Sequence, residues 1–236
     1  MNLSIQYFLK LGKWPNLTTP KTFNEKVQYR KLYDRNILLG PYADKYLVKD
    51  YVAAKIGAEH VIPTLWSGKT LPALEERNWP KPFVLKANHM SGTNIFIWED
   101  DEPDWPVIER SAAQWMASRY RPHLLETHYD LIDRQLLVEP LIGHGEPLQD
   151  YKFHVFNGKV EFILMYTGRG RDLRAQMLNR DWQPMDCRYY RDVPDDFPER
   201  FLFRTRGSLR VSRDAFVWRG HFHARIRFLP FRAGNL

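Results

Sequence analysis

Along the first half of the chain, apolar residues recur at helical spacing in two places. From Pro20 to Leu32 the apolar positions are Phe23, Val27 and Leu32, behind Thr22, whose hydroxyl suits a helix cap. That pattern predicts a short amphipathic helix. From Asp44 to Ile56, Leu47, Val48, Tyr51 and Val52 fall on one helical stripe, and Gly57 can end it. Val61 to Trp66 predicts a strand interrupted by Pro63, and Pro72, Pro80 and Pro82 mark a connector. Phe83 to Ile97 then reads as two apolar strands around a small polar loop. After an acidic turn at Glu99 to Asp104, Val107 to Arg121 predicts a helix with Ile108, Ala112, Trp115 and Met116 on one face. Leu136 to Ile142 predicts a strand. Asp150 to Phe156 and Val160 to Tyr166 predict a hairpin about Asn157-Gly158, a dipeptide suited to tight β-turns. The order of elements predicts an α+β fold, mostly antiparallel, with segregated helices.

A chain of 236 residues has room for one large domain or two small lobes. Its single cysteine, Cys187, excludes an intrachain disulfide framework and a cysteine-rich zinc site, which fits a reducing, cytoplasmic setting. No apolar run approaches the roughly 20 residues that span a bilayer. Met1 to Lys13 is too mixed for a secretory signal, so a role in envelope chemistry would be exercised from the inner face of the membrane. The net charge of +7 is unevenly placed: from Arg200 onward there are nine arginines and one acid, Asp214, whereas the first 199 residues carry 26 basic and 27 acidic side chains. Polyanion binding would therefore reside in the tail, and no specific nucleic acid is expected as a partner of the body.

Candidate chemistry centres on the Phe83 to Ile97 hairpin. Lys86 leaves the first strand as a compact cation, and backbone N–H groups near Ser91 and Gly92 can close over an anion, an arrangement suited to a nucleotide triphosphate. Lys86, Glu139 and Lys152 are charged residues within apolar strands, and each requires a partner or water. They sit either on a solvated sheet face or, taken together, at a cleft between lobes.

Several segments, in order from about residue 15 to about residue 190, resemble the TupA-like ATP-grasp family: Pro20-Lys21-Thr22-Phe23-Asn24-Glu25-Lys26, Ala43-Asp44-Lys45, Phe83-Val84-Leu85-Lys86, Asn88-His89 with Ser91-Gly92, and Asp150-Tyr151-Lys152-Phe153 with Phe156-Asn157-Gly158-Lys159. The resemblance implies a two-lobed ATP-grasp fold and a role in bacterial capsular, teichuronopeptide or other surface-polysaccharide synthesis. In such chemistry a carboxylate is activated as an acyl phosphate before an amine or sugar-linked acceptor attacks. It implies ATP and Mg²⁺ as cofactors. Lys45 and Lys86 are expected on the phosphates, with the loop of His89, Ser91 and Gly92 folded over them. The backbone of Glu139, Leu141 and Ile142 is expected at the adenine, and Lys152 at a phosphate or the ribose. The implied organisation is an N-terminal lobe at 1–80, a nucleotide-binding region at 81–199, and a non-homologous, poorly ordered Arg-rich tail at 200–236.

Three departures from the family pattern stand out. Met90 replaces a glycine in the loop, which is expected to stiffen it and to block a positive-φ conformation there. Pro140 replaces an acid beside Glu139. The two later strands whose Asp and Glu hold Mg²⁺ in the family are missing, and codons compatible with Arg204 to Arg210, read one base later, spell Val-Arg-Val-Asp-Leu-Tyr, the first of those strands. The tail is therefore read as a deletion with a frameshift, and His221 and His223 as accidental neighbours. The competing expectations are a non-catalytic nucleotide-binding remnant, a glycosyltransferase-like protein of a polysaccharide cluster, and a polyanion binder acting through the tail.

Overall fold

The computed structural model describes residues 3–34, 37, 39–142, 150–156, 159–168, 172–188 and 193–195, together with the backbone of Leu209–Val211 and Phe216–Trp218. The expectations placed on Asn157-Gly158, Asp214, His221 and His223 lie outside these residues, as does most of the tail. The chain divides into two compact units, Met1–Leu141 and Ile142–Leu236.

The first unit holds the helices α1 (Leu3–Leu11), α2 (Phe23–Tyr33), α3 (Leu39–Ala43), α4 (Leu47–Ile56) and α5 (Trp105–Ala117). Its sheet consists of β1 (Trp66–Gly68), β2 (Phe83–Ala87), β3 (Asn94–Ile97) and β4 (Leu136–Pro140), in the order β1-β4-β2-β3 with every pairing antiparallel. Because side chains alternate across a strand, the register gives the sheet two unlike faces. Phe83, Leu85, Leu136 and Val138 form one face and bury themselves against Ile108 and Ala112 of α5, with Trp115 and Met116 packed on the cluster. Val84, Lys86, Leu137 and Glu139 share the opposite face. Asp104 caps α5 by accepting from the Val107 N–H at 3.1 Å.

Several boundaries differ from the sequence reading. The strand expected at Val61 to Trp66 reduces to β1: Pro63 supplies no N–H for a ladder, and only Leu65, donating to the Val138 carbonyl at 2.8 Å, prolongs the pairing. In α2 the Thr22 cap is present, but the buried residue is Glu25, while Phe23 is half exposed. The Glu25 carboxylate accepts from the backbone N–H groups of Thr22 (2.9 Å), Asn16 (3.1 Å) and Lys21 (3.1 Å), and Thr22 Oγ1 accepts from the Glu25 N–H at 3.3 Å. This capping box folds the preceding loop onto the helix. The backbone donors, Thr22 first, lower the Glu25 pKa to about 2. In α4 no residue is fully buried, and Leu47 and Tyr51 stand partly in solvent.

The second unit contains β5 (Asp150–Phe156), β6 (Lys159–Thr167) and β7 (Arg174–Leu178), antiparallel in that order, with Phe156 opposite Lys159. Tyr151, Phe153, Ile163, Met165 and Leu178 are buried. The ring of Trp182 meets Tyr151 and Phe153 edge-on, and burial pushes the Tyr151 phenol up to about 12. In the tail, β8 (Leu209–Val211) pairs antiparallel with β9 (Phe216–Trp218). The architecture is α+β, as expected. Among the described residues no helix is long and apolar enough to cross a membrane.

Candidate functional site

The polar face of the first sheet places two of the expected residues together. Lys86 lies two residues beyond Val84 on β2, and Val84 is opposite Glu139 on β4, so the two charged side chains meet diagonally across neighbouring strands. The Lys86 ammonium ion-pairs with Glu139 Oε2. The second carboxylate oxygen, Oε1, accepts from Lys49 of α4 at 2.7 Å, and Lys49 also donates to Thr64 Oγ1 at 2.6 Å. The Glu139 side chain is only 4% exposed, and each lysine side chain is 15% exposed. A carboxylate so thoroughly removed from water requires compensation, which two ammonium groups supply. Lys49 was not signalled by the strand patterns, because it comes from a helix that reaches the sheet only in the folded chain.

A second network holds the loop that follows Lys86. Lys45 Nζ donates to the carbonyls of Ala87 (2.9 Å), Asn88 (3.1 Å) and Met90. Asn88 is fully buried: its Nδ2 donates to Asp44 Oδ2 (3.1 Å) and to the Asp133 carbonyl (2.8 Å), and its Oδ1 accepts from the Gln135 N–H at 2.9 Å. Asp44 in turn accepts from the Tyr46 and Leu47 N–H groups at 2.7 and 3.3 Å, at the turn that opens α4. His89 is 1% exposed, with Nε2 facing the carbonyls of Trp115 (3.2 Å) and Ser118 (3.3 Å) at the end of α5. Burial, the largest cause, holds its pKa below the ordinary imidazole value, and Nδ1 faces Asn88 Oδ1 at 3.3 Å. The His89 side chain thus anchors the loop to α5.

Ser91 and Gly92 form the exposed crest of the loop. Gly92 has φ +86, and a Cβ there would meet no heavy atom within 4 Å, so the position needs glycine for its backbone and leaves open space above it. Met90 lies outside the positive-φ region, which among described non-glycine residues is occupied by Arg121, Leu125 and Trp182. Thr93 Oγ1 is buried with no hydrogen-bond partner among the described residues.

Leu141 donates its N–H to the Pro82 carbonyl at 2.9 Å and is the last residue of the first unit, and Ile142 is the first of the second. Lys152, on β5, places its ammonium 4.3 Å from the centre of the Tyr166 ring, a cation–π contact within its own sheet. The only cysteine of the chain, Cys187, is a free, exposed thiol.

The residues present fit a polyphosphate: ammonium groups, an open glycine-crested loop and a buried hydroxyl without a partner occur in one unit. Among the described residues no three acidic, histidine or cysteine side chains converge as metal ligands would.

The family model for TupA-like ATPgrasp matches residues 25–199. No curated protein and no solved structure matches the chain. The matched span contains the Lys86–Glu139 pair, the Asn88 network and the whole of both larger sheets, and it stops where the arginine-rich tail begins. This chain is a member of the TupA-like ATP-grasp family.

Proposed function

We propose that the chain binds ATP on the polar face of the β1-β4-β2-β3 sheet and descends from an ATP-dependent carboxylate–amine ligase of bacterial surface-polysaccharide assembly. The observation that carries the reading is the Lys86–Glu139 pair beside an open loop, in a chain of this family. Lys86 lies on a rigid strand and is oriented by a carboxylate, the arrangement needed to present a cation to phosphate oxygens in a fixed place. Lys45 holds the loop carbonyls and fixes the crest of Ser91 and Gly92, whose N–H groups are suited to phosphate oxygens. The backbone from Glu139 through Leu141 to Ile142 is assigned to the adenine, and Lys152 to a phosphate or ribose oxygen. In the ligase reaction a substrate carboxylate oxygen attacks the γ-phosphorus and ADP leaves. An amine or sugar-linked acceptor then displaces phosphate from the acyl phosphate.

Incubation with ATP, Mg²⁺, candidate carboxylates and hydroxylamine tests this directly, since hydroxylamine converts an acyl phosphate to a hydroxamate. ADP and hydroxamate in equal amounts support the ligase reading, and ATP binding without turnover supports a nucleotide-binding remnant. The remnant reading is favoured by one observation: the family match ends at residue 199, and residues 200–236 carry a single acid, Asp214. Sequencing the coding DNA beyond residue 190 checks the frameshift, which requires Val-Arg-Val-Asp-Leu-Tyr in the offset frame.

A further inference from the structure

We propose that Lys49 is a polyphosphate-binding residue, forming with Lys86 a two-cation anion subsite for which Glu139 is the shared counter-ion. The inference rests on the nucleotide reading above and adds a residue to that site. One carboxylate needs one ammonium for neutrality. Glu139 has two, one on each oxygen, so these three side chains together sum to one net positive charge. Both lysine side chains keep 15% exposure while the carboxylate side chain is sealed at 4%, so what solvent reaches of the triad is mainly lysine. An anion arriving from solvent therefore meets the lysine side chains before the carboxylate.

The hydrogen-bond inventory points the same way. A lysine ammonium has three donors. Among the described residues, Lys49 uses one on Glu139 Oε1 and one on Thr64 Oγ1, and the third has no partner. Those two contacts also fix the ammonium in place, which lowers the ordering cost when a ligand oxygen takes the remaining donor. Without Lys49, the Lys86–Glu139 pair would be electrically neutral. The sequence position is consistent, since Lys49 lies four residues after Lys45 and so binds the start of α4 to the same sheet and loop.

Calorimetric titration with ATP and with inorganic tripolyphosphate, each at several NaCl concentrations, separates the possibilities using wild type, Lys49→Met and Lys49→Arg. The expected result is about a tenfold loss of affinity for both ligands in Lys49→Met, the size of one charge-assisted contact. Its salt dependence should be shallower, and Lys49→Arg should restore most of the affinity. A merely structural lysine would leave the salt dependence unchanged. Unliganded urea unfolding checks that the variants are folded, with Lys49→Gln as the alternative if Lys49→Met is not. Wild-type affinity and salt dependence in Lys49→Met would overturn the proposal while leaving the nucleotide reading intact. Tripolyphosphate binding that depends on Lys49, with no binding of ATP, would overturn the nucleotide reading and uphold the subsite. Binding of neither ligand by wild type would overturn both.

Discussion

Replacing Asn88 with alanine removes an amide that ties β2 to the turn before α4 and to the segment entering β4. Four hydrogen-bond contacts go: to the Asp44 carboxylate at 3.1 Å, to the Asp133 carbonyl at 2.8 Å, from the Gln135 N–H at 2.9 Å and, longest and weakest, with His89 Nδ1 at 3.3 Å. The first ends on a carboxylate that is 1% exposed and cannot recover the bond from water, so its loss costs about 2 kcal/mol. The half-buried Gln135 N–H contributes about 1 kcal/mol, and the Asp133 carbonyl, on an exposed residue, costs less because water replaces the amide. The expected total is about 3–4 kcal/mol, a substantial part of the roughly 5–15 kcal/mol that holds an ordinary domain together. With an m-value of about 2 kcal/mol/M, the urea midpoint should fall by about 1.5–2 M. Asn88→Asp should fall further at pH 7, because a carboxylate oxygen would replace the amide nitrogen that faces Asp44 Oδ2. A midpoint for Asn88→Asp at or above that of Asn88→Ala would refute the hydrogen-bond assignment, and wild-type stability in both would refute the network.

The remaining predictions probe the loop and the N-terminal cap. Gly92→Ala should lower stability by about 1 kcal/mol through backbone strain alone, since its φ is +86 and the added methyl meets nothing; a thermal melt reads this as a drop of a few degrees. Lys45→Met should speed amide hydrogen exchange at residues 88–92 while leaving β4 protected, because the lost contacts all end on loop carbonyls. Glu25 has a folded pKa lowered from 4.5 to about 2, so its contribution is complete above 4.5 and is lost as pH falls toward about 2. Stability profiles of wild type and Glu25→Gln should therefore converge across that window, and parallel profiles would contradict the assignment.

Much of the fold was legible in the sequence because alternation and capping are local signals. The Phe83 to Ile97 hairpin, the Asp150 to Tyr166 strand pair and the buried stripe of α5 follow from short-range patterning. Thr22 announced a cap, yet the spacing of Phe23 and Val27 suggested an apolar face, whereas the loop from Asn16 to Lys21 buries the carboxylate of Glu25. Two elements carried little signal. The helix α1 has just Leu3 and Tyr7 as buried residues, and β7, which lacks β-branched residues, owes its conformation to pairing with β6. The candidate site divides in the same way. Lys86 and Glu139 were visible as charges within apolar strands, but their pairing depends on β4 lying beside β2, a consequence of strand order. The inward turn of His89 and the arrival of Lys49 depend on helix packing, which single-sequence periodicity does not encode.

The most direct measurement is a calorimetric titration of the intact chain and its Lys86→Ala variant with ATP. Saturable binding near one nucleotide per chain, weakened at least tenfold by Lys86→Ala, is the expected result. Equal affinity in the two proteins would remove Lys86 from the site, and no binding by the wild-type chain would contradict the ATP-binding function itself.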